Sequence, residues 1–320
     1  AKRHLSWLIG CAFGRWQDQV QSVQSDDIYA ELPEQPPAFN RASSKNALEQ
    51  TGVADLDSSN SLIQALYAIA DPDLSEKCLA LVGANNWENY LNRTSQFFSA
   101  HYDQYSQNRR YTPIYWPLQS ASGSYTLWVY YHRLNKQTLY TCVNDFLDGP
   151  TGKLTQVEQD LNTLKNLGTR STQEEKDLTQ LTDFAAELKD FRDELLRLAK
   201  FWKPNLNDGV QITAAPLWKL FQHNAWQKKL KETWEKLEEG DYDWAHLACS
   251  IWPERVLRKC HQDRSLAIAH DVEDIFWHKV EVPVKRGKKI TGEMKTEWQP
   301  KSLTAAELTE LINQTITNLK

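Results

Sequence analysis

The chain has 320 residues, a formal net charge of -5, 41% apolar and 25% charged residues, and 13 tryptophans. That length can bury a sizeable core and hold two or three compact units. The acidic balance gives no global sign of a nucleic-acid binder, so any such role has to rest on local patches. No apolar run approaches the roughly 18 residues of a membrane span, and the N-terminus lacks the pattern of a secretory signal. Five scattered cysteines, Cys11, Cys78, Cys142, Cys249 and Cys260, favour free thiols in a reducing compartment over a disulfide framework. A cytoplasmic protein with no membrane partner is the expectation.

In chain order, "AKRHLSWLIGCAFGRW" reads as continuing from an upstream segment. Residues 1–25 predict an N-terminal helix over His4 to Trp16, with Leu5, Leu8, Ile9, Ala12, Phe13 and Trp16 at helical spacing. Gly10 and Gly14 would permit close approach of another backbone. Residues 26–60, rich in Pro, Ser, Asn and Asp, predict a linker. Residues 61–150 begin with helical patterns over Ser61 to Ala70, Leu74 to Val82 and Trp87 to Ala100. Alternation then predicts strands over Ile114 to Leu118, Tyr125 to Tyr131 and Thr138 to Val143, with a turn around Gly123.

Residues 151–202 predict an antiparallel helical hairpin (153–200), apolar at Leu154, Val157, Leu161, Leu164 and Leu167 and again from Leu178 to Leu198. Thr172 with Glu175 reads as the capping box of its second helix. Residues 203–320 form a Trp-rich helical region. It holds a turn at "NLNDGVQI", a helix over Pro216 to Lys236, and a helix capped by Asp243 that runs through Trp252-Pro253 to Cys260. A β-hairpin with the basic tip "KRGKK" follows, and a last helix, Ala305 to Leu319, is capped by Thr304 with Glu307. The expected class is α+β and predominantly helical, with small antiparallel β elements at about 111–143 and 279–298.

The motifs of several enzyme classes are missing. No G-x-G or Walker A pattern lets backbone approach a nucleotide or methyl donor. Amino-methylation of a flipped base typically uses Asn or Asp, then Pro-Pro and an aromatic ring; here Pro36-Pro37 is flanked by Gln35 and Ala38. His246, Cys249, Cys260 and His261 match no common zinc spacing. Glu293-x-Lys295 echoes half of a nuclease site, without the preceding Asp on a neighbouring strand.

Two electropositive patches remain. Between Gln104 and Asn144 stand Arg109, Arg110, Arg133 and Lys136 with no Asp or Glu, interleaved with rings that include Tyr111, Tyr115, Trp116, Tyr125, Trp128, Tyr130, Tyr131 and Tyr140. Arginine neutralises phosphate bidentately and exposed rings stack on bases, whereas alternating aromatics in a strand mostly form core; both roles stay open here. The second patch is the hairpin tip with Lys285, Arg286, Lys288 and Lys289. Four cations on a tight turn face water or an anionic partner.

"QFFSAHYDQYSQNRRYTPIYWPLQSASGSYTLWVYYHRLNKQTLYTCVND" (Gln96 to Asp145) resembles the C-terminal region of PglX-type adenine-specific DNA methyltransferases of BREX, DISARM and related restriction–modification systems. Its most specific piece is Arg-Arg-x-x-Pro-Ile-Tyr-Trp-Pro-Leu. "LSWLIGCAFGRW" (Leu5 to Trp16) resembles the segment just after that family's methylase core. "KPNLNDGVQITAAPLWKLF" (Lys203 to Phe221) and "GDYDWAHLACSIWPERVLRKCHQDRSLAIAH" (Gly240 to His270) resemble its far C-terminal part. The resemblance implies a bacterial or archaeal phage-defence protein that binds double-stranded DNA and transfers methyl from S-adenosylmethionine to adenine N6. The glycine motif and the Asn-Pro-Pro-aromatic motif belong to the family's catalytic half and are absent, so no catalytic or cofactor residue carries over. S-adenosylmethionine is expected in a parent enzyme, bound by a methylase domain in cis or on a separate chain, and other defence-system subunits are candidate partners. Arg109, Arg110, Arg133, Lys285, Arg286, Lys288 and Lys289 are the expected phosphate contacts, with Tyr111, Tyr115, Trp116, Tyr125 and Trp128 shaping a platform. The alternative is a protein-interaction scaffold in which Leu154 to Leu198 docks the methylase half, another defence subunit or a DNA-mimicking phage protein.

Overall fold

The computed structural model describes residues 1–15, 47–58, 61–92, 96–107, 110–286 and 289–318; for 47, 49, 107, 110–111, 284–286 and 289–293 it describes the backbone only. The fold is α+β and predominantly helical, with small antiparallel sheets. Helix α1 (Lys2–Ala12) buries Leu5, Leu8, Ile9 and Ala12. It ends where Gly14 takes a φ of 68° and the Arg15 amide donates back to the Gly10 carbonyl at 2.8 Å. The expected continuation to Trp16 therefore stops short, by a left-handed glycine just past the helix end.

Part of the expected linker is folded. Residues 26–46 and 59–60 lie outside the described residues, but α2 (Ala47–Thr51) and β1 (Val53–Ala54) fall within it. Between them Gly52, with φ +68°, packs so close to Arg133 that a Cβ there would lie 2.4 Å from the arginine Cβ. Composition marked a linker because Pro, Ser, Asn and Asp are frequent there; two buried apolar residues, Val53 and Ala54, are enough for a strand. Three short helices follow, each with a side-chain cap on an early backbone amide. Ser61 caps α3 (Leu62–Ile69), Asp71 caps α4 (Pro72–Leu81), and Asn86 caps α5 (Trp87–Leu91). Helix α6 (Gln96–Gln104) is separate from α5, because Asn92 is already extended at ψ 158°.

The sheet at the centre has the order β1-β5-β4, all antiparallel, with β4 at Tyr115–Gln119 and β5 at Thr126–Tyr130. Tyr115 pairs with Tyr130, Trp116 with Val129, Pro117 with Trp128, and Val53 of β1 with Val129. Every residue of β4 and β5 is buried. Successive side chains point to opposite faces. Tyr115, Trp128 and Tyr130 thus share one face, where Phe13, Phe97 and Phe98 lie against them. Trp116, Leu118, Leu127 and Val129 share the other, where Phe221 stands edge-on to Trp116 at 6.2 Å. A smaller pair, β2 (Ser106–Gln107) with β3 (Arg110–Tyr111), precedes the sheet.

The expected third strand, Thr138 to Val143, is instead part of helix α7 (Thr138–Phe146). Its β-branched composition favours a strand, but Leu139, Cys142 and Val143 fall at i, i+3 and i+4 and bury one stripe. Packing of that stripe overrides weak propensity. The helical hairpin forms as expected from α8 (Lys153–Lys165) and α9 (Thr172–Ala199). Its capping box lies one residue earlier than the sequence indicated, between Ser171 and Glu174.

The expected turn at 205–212 runs into a short α10 (Val210–Ala214), and the segment expected as one helix over Pro216 to Lys236 begins in a 3-10 turn over Ala215–Leu220, then breaks at Phe221. A new helix, α11 (Asn224–Glu239), starts where the His223 ring accepts the Trp226 amide. The next expected helix is likewise two, α12 (His246–Ile251) and α13 (Pro253–Cys260). Pro253 disfavours helical geometry at Trp252, which sits at φ -125°, ψ 59°. Asp243 does not cap α12; buried Asp208 accepts the His246 and Leu247 amides. Helices α14 (Arg264–Ala269) and α15 (Glu273–Phe276) lead into the long hairpin β6 (Trp277–Arg286) and β7 (Lys289–Pro300). The chain ends in α16 (Ala305–Asn318), whose Thr304–Glu307 cap forms as expected.

Buried residues from Leu5 to Ile312 form one contiguous apolar cluster. All five cysteines are free thiols. Among the described residues no helix is long and apolar enough to cross a membrane. Trp116 is fully buried and donates its indole N–H to the Pro113 carbonyl at 2.7 Å. Trp116→Ala should therefore lower unfolding stability by about 3–5 kcal/mol, read as a shift in the denaturant midpoint; a change below about 1 kcal/mol would contradict this packing.

Candidate nucleic-acid interface

The aromatic segment answers to the core. Tyr115, Trp116, Tyr125 and Trp128 are 1%, 0%, 3% and 0% exposed. None presents a face on which a base could stack, so their expected place in a DNA platform is corrected. The Tyr125 hydroxyl donates to the Phe146 carbonyl at 3.2 Å, and its ring stands edge-on to Phe191 of α9. These rings join the sheet to the helices around it.

His101, unremarked in the sequence, organises the entry to β4. Its Nε2 accepts the Ile114 amide at 2.9 Å and the Tyr115 amide at 3.3 Å. An accepting Nε2 requires a neutral ring with its proton on Nδ1. Burial, reinforced by the nearby Arg15 charge, pushes the His101 pKa down from 6.5 to about 3. Arg15, also missed, donates to the Tyr105 hydroxyl at 3.1 Å. The only signal in the sequence was His101 on the apolar side of an amphipathic helix, which fits a core residue as well as a functional one.

The cations divide differently. Arg133 is exposed, in a 3-10 turn (Tyr131–Arg133) directly after β5. Lys136 follows it, also exposed. The backbones of Arg110 and Tyr111 form β3, in register with Gln107 and Ser106; Arg109 lies outside the described residues. In the second patch, Lys285, Arg286 and Lys289 lie on the backbone at the far end of the hairpin, Arg286 paired with Lys289. Lys288 lies outside the described residues.

This hairpin differs from the central sheet in being a two-stranded ribbon, with no third strand among the described residues. Strands of 10 and 12 residues extend about 33 Å or more at 3.3 Å per residue. His278, Lys279, Glu281 and Pro283 on β6, and Met294, Lys295, Thr296 and Glu297 on β7, are exposed. Neighbours in a strand face opposite ways, so both faces of the ribbon meet solvent. Its base is anchored. The Trp277 indole donates to the Cys260 carbonyl at 2.8 Å, and the Lys301 amide donates to the Phe276 carbonyl at 2.9 Å. The Arg264 guanidinium lies 4.7 Å over the Trp298 ring while pairing with Glu273. Lys295 pairs with Glu297 at 2.6 Å. Among the described residues no group of three or more His, Cys, Asp or Glu is placed to hold a metal ion.

Helix α13, which carries that base, is held by charge. Asp243 is 4% exposed and pairs with Arg255 at 2.7 Å and Lys259 at 2.5 Å. The same guanidinium donates to the Leu237 and Glu238 carbonyls at 2.8 Å each, satisfying the C-terminus of α11, and lies 4.4 Å over the Trp252 ring. A buried carboxylate that loses its partner is costly. Arg255→Leu should destabilise the chain by about 3 kcal/mol or more, measured by equilibrium unfolding. No family model matches the chain, and no curated protein matches it.

The His101 shift has a definite sign. Its folded pKa lies below the unfolded value, so between pH 6.5 and about 3 the unfolded chain binds a proton that the folded chain does not. The stability of the neutral ring is fully present above pH 6.5 and is lost as pH falls. Burial also lowers the pKa of His132, His223 and His270, in the same direction. Unfolding free energy should be lower at pH 5.5 than at pH 7.5. His101→Gln should shrink that difference by about 1.4 kcal/mol, one proton over one unit below 6.5. An unshrunk difference would contradict the assignment.

Proposed function

We propose that this chain is the DNA-contacting and scaffolding portion of a PglX-like adenine methyltransferase of a phage-defence system, not catalytic alone. The observation that carries the reading is the β6–β7 ribbon, two-stranded among the described residues, whose far end carries the backbones of Lys285, Arg286 and Lys289, with Lys288 beside them in the sequence. A two-stranded ribbon fits the major groove of B-form DNA, and a tip of Lys and Arg supplies phosphate neutralisation without sequence information. The cations of the β3 and Arg133 region would extend the contact along the duplex. The core rings would act indirectly, by fixing the loops that carry those cations. A methylase domain, in cis or on a separate chain, would bind S-adenosylmethionine and supply the adenine chemistry, since these residues contain neither motif for it. The exposed face of the α8–α9 hairpin would be available to that domain.

Duplex DNA titration by fluorescence anisotropy at 50 and 200 mM salt tests this. Four phosphate contacts predict a fall of about 10²-fold in affinity over that range. Reversal of Lys285, Arg286, Lys288 and Lys289 to Glu should abolish binding at 200 mM with an unchanged unfolding midpoint. No binding at 50 mM, or affinity insensitive to salt, would overturn the proposal.

A further inference from the structure

A cleft of about 290 Å3 opens where Lys136, ahead of α7, and Lys203, just after α9, meet α12. Its wall also carries Asn205, His246, Ser250 and His270, and no Asp or Glu. Neither lysine has an ion pair or hydrogen bond among the described residues. Two unpaired ammonium groups on one concave wall, in a chain of net charge -5, concentrate positive potential where low-dielectric walls focus it.

His246 is fixed in place from behind. Asp208, with a side chain 1% exposed, has Oδ1 3.0 Å from the His246 Nδ1 and accepts the His246 amide at 2.9 Å. Its Oδ2 accepts the Leu247 amide at 2.8 Å. This carboxylate keeps a proton on Nδ1, so Nε2 is the nitrogen left to the cleft. His270 donates its Nε2–H to the Asp243 carbonyl at 2.6 Å, and burial lowers its pKa. The Cys249 thiol is pushed up to about 11 by burial, which leaves it protonated and without nucleophilic character. Pro204, Pro253 and Ile316 give the cleft an apolar side. A buried Asp fixing a half-exposed His, two free lysines and an apolar wall match the chemistry of a phosphorylated organic molecule.

We propose that this cleft binds a small phosphorylated ligand of the nucleoside monophosphate class. Lys136 and Lys203 neutralise the phosphate, the Asn205 carboxamide nitrogen donates to its oxygens, the His246 Nε2 accepts from a ligand hydroxyl, and the apolar wall takes the organic portion. The site is separate from the ribbon and does not depend on the DNA reading.

The test is isothermal titration of the full chain with AMP, pyrophosphate, inorganic phosphate and adenosine. AMP should bind saturably at one site, at least tenfold more tightly than adenosine. Lys136→Gln with Lys203→Gln should weaken AMP at least tenfold at an unchanged unfolding midpoint, and His246→Asn should weaken it further. Absence of saturation with all three phosphate probes, or equal AMP affinity in wild type and double variant, would overturn the site. A double variant that loses duplex DNA binding in parallel with AMP binding would also overturn it, by placing both lysines on the nucleic-acid face. Retained AMP binding in the charge-reversed ribbon variant would keep this site standing whatever becomes of the DNA reading.

Discussion

A sheet of two five-residue strands and one two-residue strand, buried on both faces, constrains the rest of the molecule. Each face needs an apolar cover. Phe13 at the end of α1 and Phe97 and Phe98 on α6 supply one, and the 215–221 segment supplies the other. The strand that begins beside Pro113 also needs acceptors for its first amides. His101 provides them, and it can do so only as a neutral ring in a dry site. Aromatic burial, backbone satisfaction and the direction of one pKa are thus a single arrangement. Cross-strand aromatic pairs such as Tyr115 with Tyr130, ring centroids 5.2 Å apart, add to what area alone contributes.

The two longer β hairpins among the described residues have opposite fates for a reason visible in their sequences. Tyr115 to Tyr130 carries rings and aliphatics on both faces, with Ser and Gly at the turn, so it can be enclosed. Trp277 to Pro300 mixes valines with Lys, Glu and Thr, and its sequence holds four cations, two on either side of Gly287. Desolvating those charges would cost far more than burying Val280 and Val282 would return, and the anchoring contacts described for the ribbon lie at its base. Rigidity at that base comes from the C-terminal helices, where one buried carboxylate, Asp243, draws Arg255 and Lys259 together and ties the end of α11 to α13. A rigid base is what an element needs to hold its far end at a fixed orientation.

Local patterns were legible wherever a periodic stripe met a side-chain cap. The α8–α9 hairpin, the cap at Thr304, the β4 and β5 strands and the long ribbon were readable because each depends on neighbours within a few residues. The failures share the opposite property. Thr138 to Val143 has strand-like composition and becomes helix, because its buried stripe satisfies α9 and not a sheet edge. Asp243 looks like a cap and becomes an ion-pair partner for residues 12 and 16 positions away. Asp208 sits in an unremarkable turn and meets His246 across 38 residues.

Residue chemistry alone established the helical α+β class, the free thiols, the absence of a dinucleotide loop and the two clusters of cations. Which face each ring points to was open from composition, because an aromatic residue in a strand mostly suits a core but can also serve as a stacking platform. Enclosure of β4 and β5 by helices distant in the chain resolved that choice toward core for Tyr115, Trp116, Tyr125 and Trp128. The same long-range packing brought Lys136, Lys203 and His246 to one cleft, a proximity no local pattern encodes, since it depends on where segments more than 40 residues apart come to rest.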